Sequence, residues 1–125
     1  MPHIRIEVTD NISIAFNKLL AAINRTLICS SEFKEADIKS RVVPLQFYLA
    51  SNDKSAGFIH IQLELMAGRS DALKASLAQA LLETLSSFIC DTKLTIQSSV
   101  HVSELNPACY AKALFNKQDI PALTS

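Results

Sequence analysis

The chain has 125 residues, 49% of them hydrophobic, with twelve basic and twelve acidic side chains that cancel. That length suits one domain, residues 1–125, able to bury about two-thirds of its unfolded surface, and the composition excludes disorder. Neutral charge without a block of like sign argues against nucleic-acid or anionic-membrane partners, and no apolar run approaches the ~20 residues of a membrane span.

Pro2 stands directly behind Met1 and opens a strand over residues 2–8, in which Ile4, Ile6 and Val8 alternate with His3, Arg5 and Glu7. Initiator methionine is normally clipped when the second residue is small, and clipping leaves Pro2 with a secondary amine. An α-amino group titrates near 7.7–8.0, so burial or nearby cations make it a neutral base at cellular pH. A retained Met1 makes the same nitrogen an amide with no basicity; Pro2 then merely starts a strand, where its missing N–H costs nothing. No signal-peptide core follows Met1, so the chain reads as cytoplasmic.

Asp10, Asn11 and Ser13 supply helix-start chemistry, and Phe16, Leu19, Leu20, Ile23 and Leu27 share one helical face. A polar segment, Ser30–Asp37, leads into a second strand over residues 38–50, where Pro44 implies an edge position or a bulge. Ser51-Asn52-Asp53-Lys54 reads as a turn between two halves, too short for a domain linker. The third strand, 57–66, puts Ile59, Ile61, Leu63 and Leu65 on one face and Phe58, His60, Gln62 and Glu64 on the other. Gly68-Arg69-Ser70 turns the chain, and Ser70 and Asp71 suit the cap of a second helix running to about Cys90. Its stripe is Leu73, Leu77, Leu81, Leu85 and Phe88. A fourth strand, 93–103, carries Leu94, Ile96, Val100 and Val102, and beyond Pro107 the tail is irregular.

The order is therefore β-α-β twice, a pseudo-repeat of residues 2–50 and 57–103 followed by a tail, 104–125. The expected fold is α+β: a four-stranded sheet with two parallel pairs and both helices on one face. Val43, Leu45, Phe47 and Leu49 share a face with Lys39 and Arg41, so both sheet faces read as partly apolar. Packing the open faces of several copies together is the cheapest way to cover that surface.

Cys29, Cys90 and Cys109 are an odd number without close spacing, against a disulfide framework or a structural zinc site. Cys29 and Cys90 fall near helix ends, where small buried thiols are common. His3, His60 and His101 read as strand residues, and no His/Asp/Glu spacing suggests a metal. Glu64 and Glu104 read as isolated carboxylates. Gly57 and Gly68 are the only glycines, so no phosphate loop is present.

Pro2 opening a strand, the doubled β-α-β, Ile38-Lys39-Ser40-Arg41-Val42 and Ala67-Gly68-Arg69-Ser70 before the second helix resemble the tautomerase superfamily. Phe58-Ile59-His60 and Glu104-Leu105-Asn106-Pro107 fit its 5-carboxymethyl-2-hydroxymuconate Δ-isomerase family, and the resemblance runs from Pro2 to about Leu123. It implies a homotrimer with a site near Pro2, close to a subunit boundary, that needs neither metal nor cofactor. It also implies proton transfer across an unsaturated hydroxy- or oxo-carboxylate by the Pro2 amine, in the catabolism of aromatic compounds. Cations would hold the substrate carboxylate and the developing enolate oxygen. Arg69 matches the family's arginine at the strand-to-helix turn. Where the family carries a second functional arginine this chain has Lys39, with Arg41 two residues later on the same strand face. Lys and Arg are not equivalent at a bidentate site, so either Lys39 provides a point charge, or Arg41 has taken over, or this position no longer grips the family's substrate. The alternative is a trimer that kept the fold as a binding module without the chemistry. A ferredoxin-like RNA binder shares the element order but needs a basic, aromatic-bearing sheet.

Overall fold

The computed structural model describes residues 1–52, 54–89 and 93–116. Its strands are β1 (His3–Thr9), β2 (Lys39–Leu45), β3 (Ala56–Met66) and β4 (Thr95–Leu105), and its α-helices are α1 (Phe16–Cys29) and α2 (Asp71–Ser86). The strands form one sheet in the order β2-β1-β3-β4. The β1/β2 and β3/β4 pairs are parallel, and the central β1/β3 pair is antiparallel. Pro44 sits on an edge strand, where its missing N–H breaks no inner ladder.

The two parallel units begin alike. The Lys39 N–H donates to the Pro2 carbonyl at 3.0 Å, and the Thr95 N–H donates to the Ser55 carbonyl at 2.8 Å. Each bond joins the start of the second strand to the residue just before the first.

The period-2 rows of β1 and β3 drive the core. Ile4, Ile6, Val8, Ile59, Ile61, Leu63 and Leu65 are each at most 1% exposed. They meet Leu19, Ile23 and Leu27 of α1 and Leu77, Leu81 and Leu85 of α2. Both helices therefore lie on one face. Each such side chain contributes about 1.5–3 kcal/mol by leaving water. Between the helices, the Thr26 and Thr84 hydroxyls bond at 2.7 Å.

Several sequence expectations change. The first helix starts at Phe16, behind Ala15, which makes no side-chain cap. The residues expected to start it are used otherwise: Asn11 Oδ1 accepts from the Thr9 hydroxyl at 2.7 Å, and Asn11 Nδ2 donates to the Ala56 carbonyl at 2.9 Å. That ties the end of β1 to the start of β3. Ser70 does cap α2, accepting the Leu73 N–H at 3.2 Å, but the helix ends at Ser86. β2 stops at Leu45, so Phe47 and Leu49 leave the sheet. Cys29 closes α1 exposed rather than buried; Cys90, Asp53 and the tail from residue 117 lie outside the described residues.

The open face keeps Val43 of the apolar row expected on it but loses Phe47 and Leu49, and most of its side chains are polar. The register brings His3, Arg5 and Glu7 of β1 alongside Lys39, Arg41 and Val43 of β2, and alongside Glu64, Gln62 and His60 of β3. Ser103, His101 and Ser99 of β4 continue the rows. The large apolar groups left in solvent lie elsewhere: Phe47 is 91% exposed, Leu49 80%, Leu114 81% and Phe115 69%. Among the described residues no helix is long and apolar enough to cross a membrane.

Candidate active site

Chain direction gathers the chemistry at one end of the sheet. β1 starts there; β3, running antiparallel, finishes there; and β2 starts there because it is parallel to β1. Three connections converge on this end: the α1–β2 loop, the β3–α2 turn and the segment after β4.

Pro2 is buried at the head of β1. The Met1 amino group, one peptide away, is held below its ordinary value. Burial is the first cause, the positive charge of Lys112 the next, and Lys39 adds to both, while Asp37 opposes them. The Met1 amino group therefore sits in surroundings that favour its neutral form.

Lys39 pairs with His3 in the ladder and stands beside Pro2 through its own N–H. Its ammonium donates to the Ala36 carbonyl at 2.7 Å, which leaves two further N–H donors. Arg41 lies two residues along on the open face. Its Nη1 is 3.2 Å from His3 Nδ1. Arginine has no acceptor, so His3 Nδ1 must accept, and the ring is the neutral tautomer with its proton on Nε2. Burial, the Arg41 charge, the chain terminus and Lys39 all lower the His3 pKa against the pull of Glu64. Arg41 shares a hollow of about 160 Å³ with His3, Arg5, Gln62 and Glu64. The structure thus places Lys39 with Pro2 and Arg41 with the open-face cluster.

Arg69 stands in the turn after β3. Gly68 adopts φ +127°, a conformation open in practice to glycine alone. The Gly68 N–H donates to Glu104 Oε2 at 3.2 Å. Glu104 is not isolated: it is ion-paired with Lys74, which also reaches Asp71 Oδ1 at 3.1 Å. The Lys74 hydrogen bond, then the Gly68 N–H, hold the Glu104 carboxyl below its usual range. Glu104 thereby links the end of β4 to the turn that carries Arg69.

The half-buried Arg69 guanidinium turns toward the α1–β2 loop. Its Nε donates to Glu32 Oε1 and its Nη2 to the Glu32 carbonyl, both at 3.4 Å. Its Cζ lies 4.8 Å from the centre of the Phe33 ring, within cation–π range. Glu32, Phe33, Lys74 and Lys112 were not among the residues singled out from sequence. For Glu32 and Phe33 a signal existed: in a β-α-β unit the loop entering the second strand returns to the end where the first begins.

A hollow of about 650 Å³ between α1 and α2, lined by Arg25, Cys29, Ser76 and Glu83 among others, contains none of these residues. Among the described residues no group of three or more His, Cys, Asp or Glu side chains is placed to hold a metal ion.

Residues 2–120 match the family model described as 5-carboxymethyl-2-hydroxymuconate isomerase. Among solved structures, one is a 5-carboxymethyl-2-hydroxymuconate isomerase from Deinococcus radiodurans R1. It is 27% identical with a TM-score of 0.84, and the match covers 91% of this chain and 90% of that one. A 5-carboxymethyl-2-hydroxymuconate delta-isomerase superposes with a TM-score of 0.74 at 14% identity, over 100% and 93% of the two chains. A fused 4-OT wild-type symmetric trimer gives 0.72 at 19% identity, over 89% and 91%. No curated protein matches the sequence.

Proposed function

Because the chain belongs to the 5-carboxymethyl-2-hydroxymuconate isomerase family, and is thus an isomerase of the tautomerase superfamily, we propose that it is a cofactor-free tautomerase or Δ-isomerase of unsaturated hydroxy- or oxo-carboxylates. 5-Carboxymethyl-2-hydroxymuconate is the type of substrate meant, and aromatic catabolism the setting. The observation that carries this reading is the convergence at one sheet end of a buried Pro2, Lys39 and the Gly68-Arg69 turn.

Once Met1 is removed, the Pro2 nitrogen carries a lone pair, and its ring fixes the direction of that pair. Less entropy is then lost in aiming the base. The amine takes a proton either from the dienol hydroxyl, or from a carbon beside the carbonyl, and either loss leaves the same kind of dienolate, its electron pair shared between oxygen and the conjugated carbons. The protonated amine then delivers a proton to a carbon other than any it was taken from, so the product is an isomer and the neutral amine is regenerated. Arg69 grips the substrate carboxylate. Lys39 provides a point charge for the enolate oxygen, a role that does not demand arginine's planar fork. Lys39, with Lys112, also favours the unprotonated form of an amine at this terminus. A homotrimer is part of the proposal: the exposed Phe47, Leu49, Leu114 and Phe115 need a cover, and a fused 4-OT neighbour is a symmetric trimer.

The test is turnover of a 2-hydroxymuconate-type dienol by protein whose mass proves Met1 absent. The expected result is activity whose kcat/KM falls roughly 10–10²-fold in Arg69→Ala, the range for losing hydrogen bonds to a charged group. Inactivity of verified Met-free protein, or Met1 present in every molecule, overturns the reading in favour of a binding module.

A further inference from the structure

We infer that Glu32 is a positioning residue for Arg69, and that it restricts the guanidinium to gripping the substrate carboxylate through its outer Nη1/Nη2 edge. This rests on Arg69 being the carboxylate-binding cation of the proposed function.

The argument comes from the donors of one side chain. A guanidinium offers five N–H groups and two edges able to hold a carboxylate with two parallel bonds. One edge is Nε with the Nη on its own side; the other joins the two Nη atoms. Glu32 takes the first edge with two different oxygens: its carboxylate Oε1 faces Nε and its main-chain carbonyl faces Nη2. Phe33, the next residue, covers one face of the same plane. A side chain with four rotatable bonds is thus held by a carboxylate, a carbonyl and a ring, all from two consecutive loop residues. What stays available is the Nη1/Nη2 edge.

The Glu32 carboxylate does two things to an anionic substrate. It aims Arg69, which assists the reaction, and it cancels part of the charge that attracts the substrate, which weakens binding. Both contacts are at 3.4 Å, long for an N–H···O bond. The brace directs the guanidinium while offsetting only part of its charge. Glutamine can keep the Nε contact through its amide oxygen while dropping the charge. Alanine drops both.

The experiment compares wild type, Glu32→Gln, Glu32→Ala, Arg69→Ala and the Glu32→Ala/Arg69→Ala double variant, all Met-free. Turnover of the dienol and the dissociation constant of adipate, a saturated dicarboxylate that cannot react, are measured for each. Glu32→Gln is expected to hold kcat within about twofold and to tighten KM and adipate binding by roughly two- to fivefold, the worth of one exposed charge pair. Glu32→Ala is expected to lower kcat by roughly tenfold or more through misplacement, and this loss should vanish in the Arg69→Ala background. Unchanged kcat in Glu32→Ala, or the same loss with and without Arg69, overturns the inference. Failure of the parent reading looks different: Arg69→Ala then turns over and binds adipate as the wild type does.

Discussion

A methyl group added at Gly57 would come within 2.7 Å of Thr9 Oγ1 and 2.9 Å of Asn11 Oδ1. Both oxygens are already engaged with each other and with β3, since the Phe58 N–H donates to the Thr9 hydroxyl at 3.2 Å. Neither can retreat without breaking a bond. Gly57→Ala is therefore expected to destabilise the fold by about 1–3 kcal/mol, read from chemical denaturation. His3 answers to a different force. Its folded pKa lies below the ordinary value, so the unfolded chain takes up the proton first. Stability is then fully present above about 6.5 and is lost as pH falls toward and through the folded pKa. His3→Gln should flatten that decline in thermal melts taken from pH 7.5 down to about 5. Single residues were legible where backbone chemistry alone marks them, as with Pro44 on an edge strand. Glu104 was not, because Lys74 and the Gly68 N–H reach it only after α2 and β4 come together.

The strands and helices were legible as interiors and less so as ends. Rows such as Ile59–Leu65 and Leu77–Leu81–Leu85 announce themselves because burial has one period per element type. The ends follow from competition between partners that sequence does not show. Asn11 could cap a helix through its side-chain oxygen, but that oxygen accepts from the Thr9 hydroxyl while its Nδ2 donates to the Ala56 carbonyl. Ser70 faced no such rival and caps α2. The β3–α2 turn shows the cost of a special conformation. Gly68 at φ +127° has nothing within 4 Å of the position a Cβ would take, so a side chain there meets strain and not collision. Gly68→Ala is expected to cost about 1–3 kcal/mol. It should also reduce dienol turnover more than it reduces the melting cooperativity, because the turn carries Arg69. Equal turnover by wild type and this variant would refute that coupling.

At the scale of the molecule, the sequence pointed to uncovered apolar surface and put two of its residues, Phe47 and Leu49, in the wrong place. Extending β2 to residue 50 laid Phe47 and Leu49 on the open face. With β2 ending at Leu45, they project from the loop that follows, while Tyr48 between them packs edge-on against Phe58 with ring centres 6.3 Å apart. The open face keeps Val43 and Phe58 among mostly polar Lys, His, Arg, Gln, Glu and Ser side chains. If copies associate as proposed, the loop and the segment around Leu114 and Phe115 carry the apolar part of the contact, and the sheet face carries polar pairing. Phe47→Asp is accordingly expected to shift sedimentation from a trimer toward smaller species. An unchanged trimer in that variant would assign the interface to other surfaces.

The paired starts of the two parallel units have a consequence for stoichiometry. Ser55 occupies in the second unit the station that Pro2 holds in the first, each giving its carbonyl to the opening N–H of the neighbouring strand. Proteolytic trimming of one methionine frees a nitrogen at only one of these stations. The other is locked inside a continuous polypeptide as a peptide amide. However alike the two ends of the sheet look as architecture, the proposed chemistry has a terminal amine at only one of them, which sets one centre per chain as its expected stoichiometry.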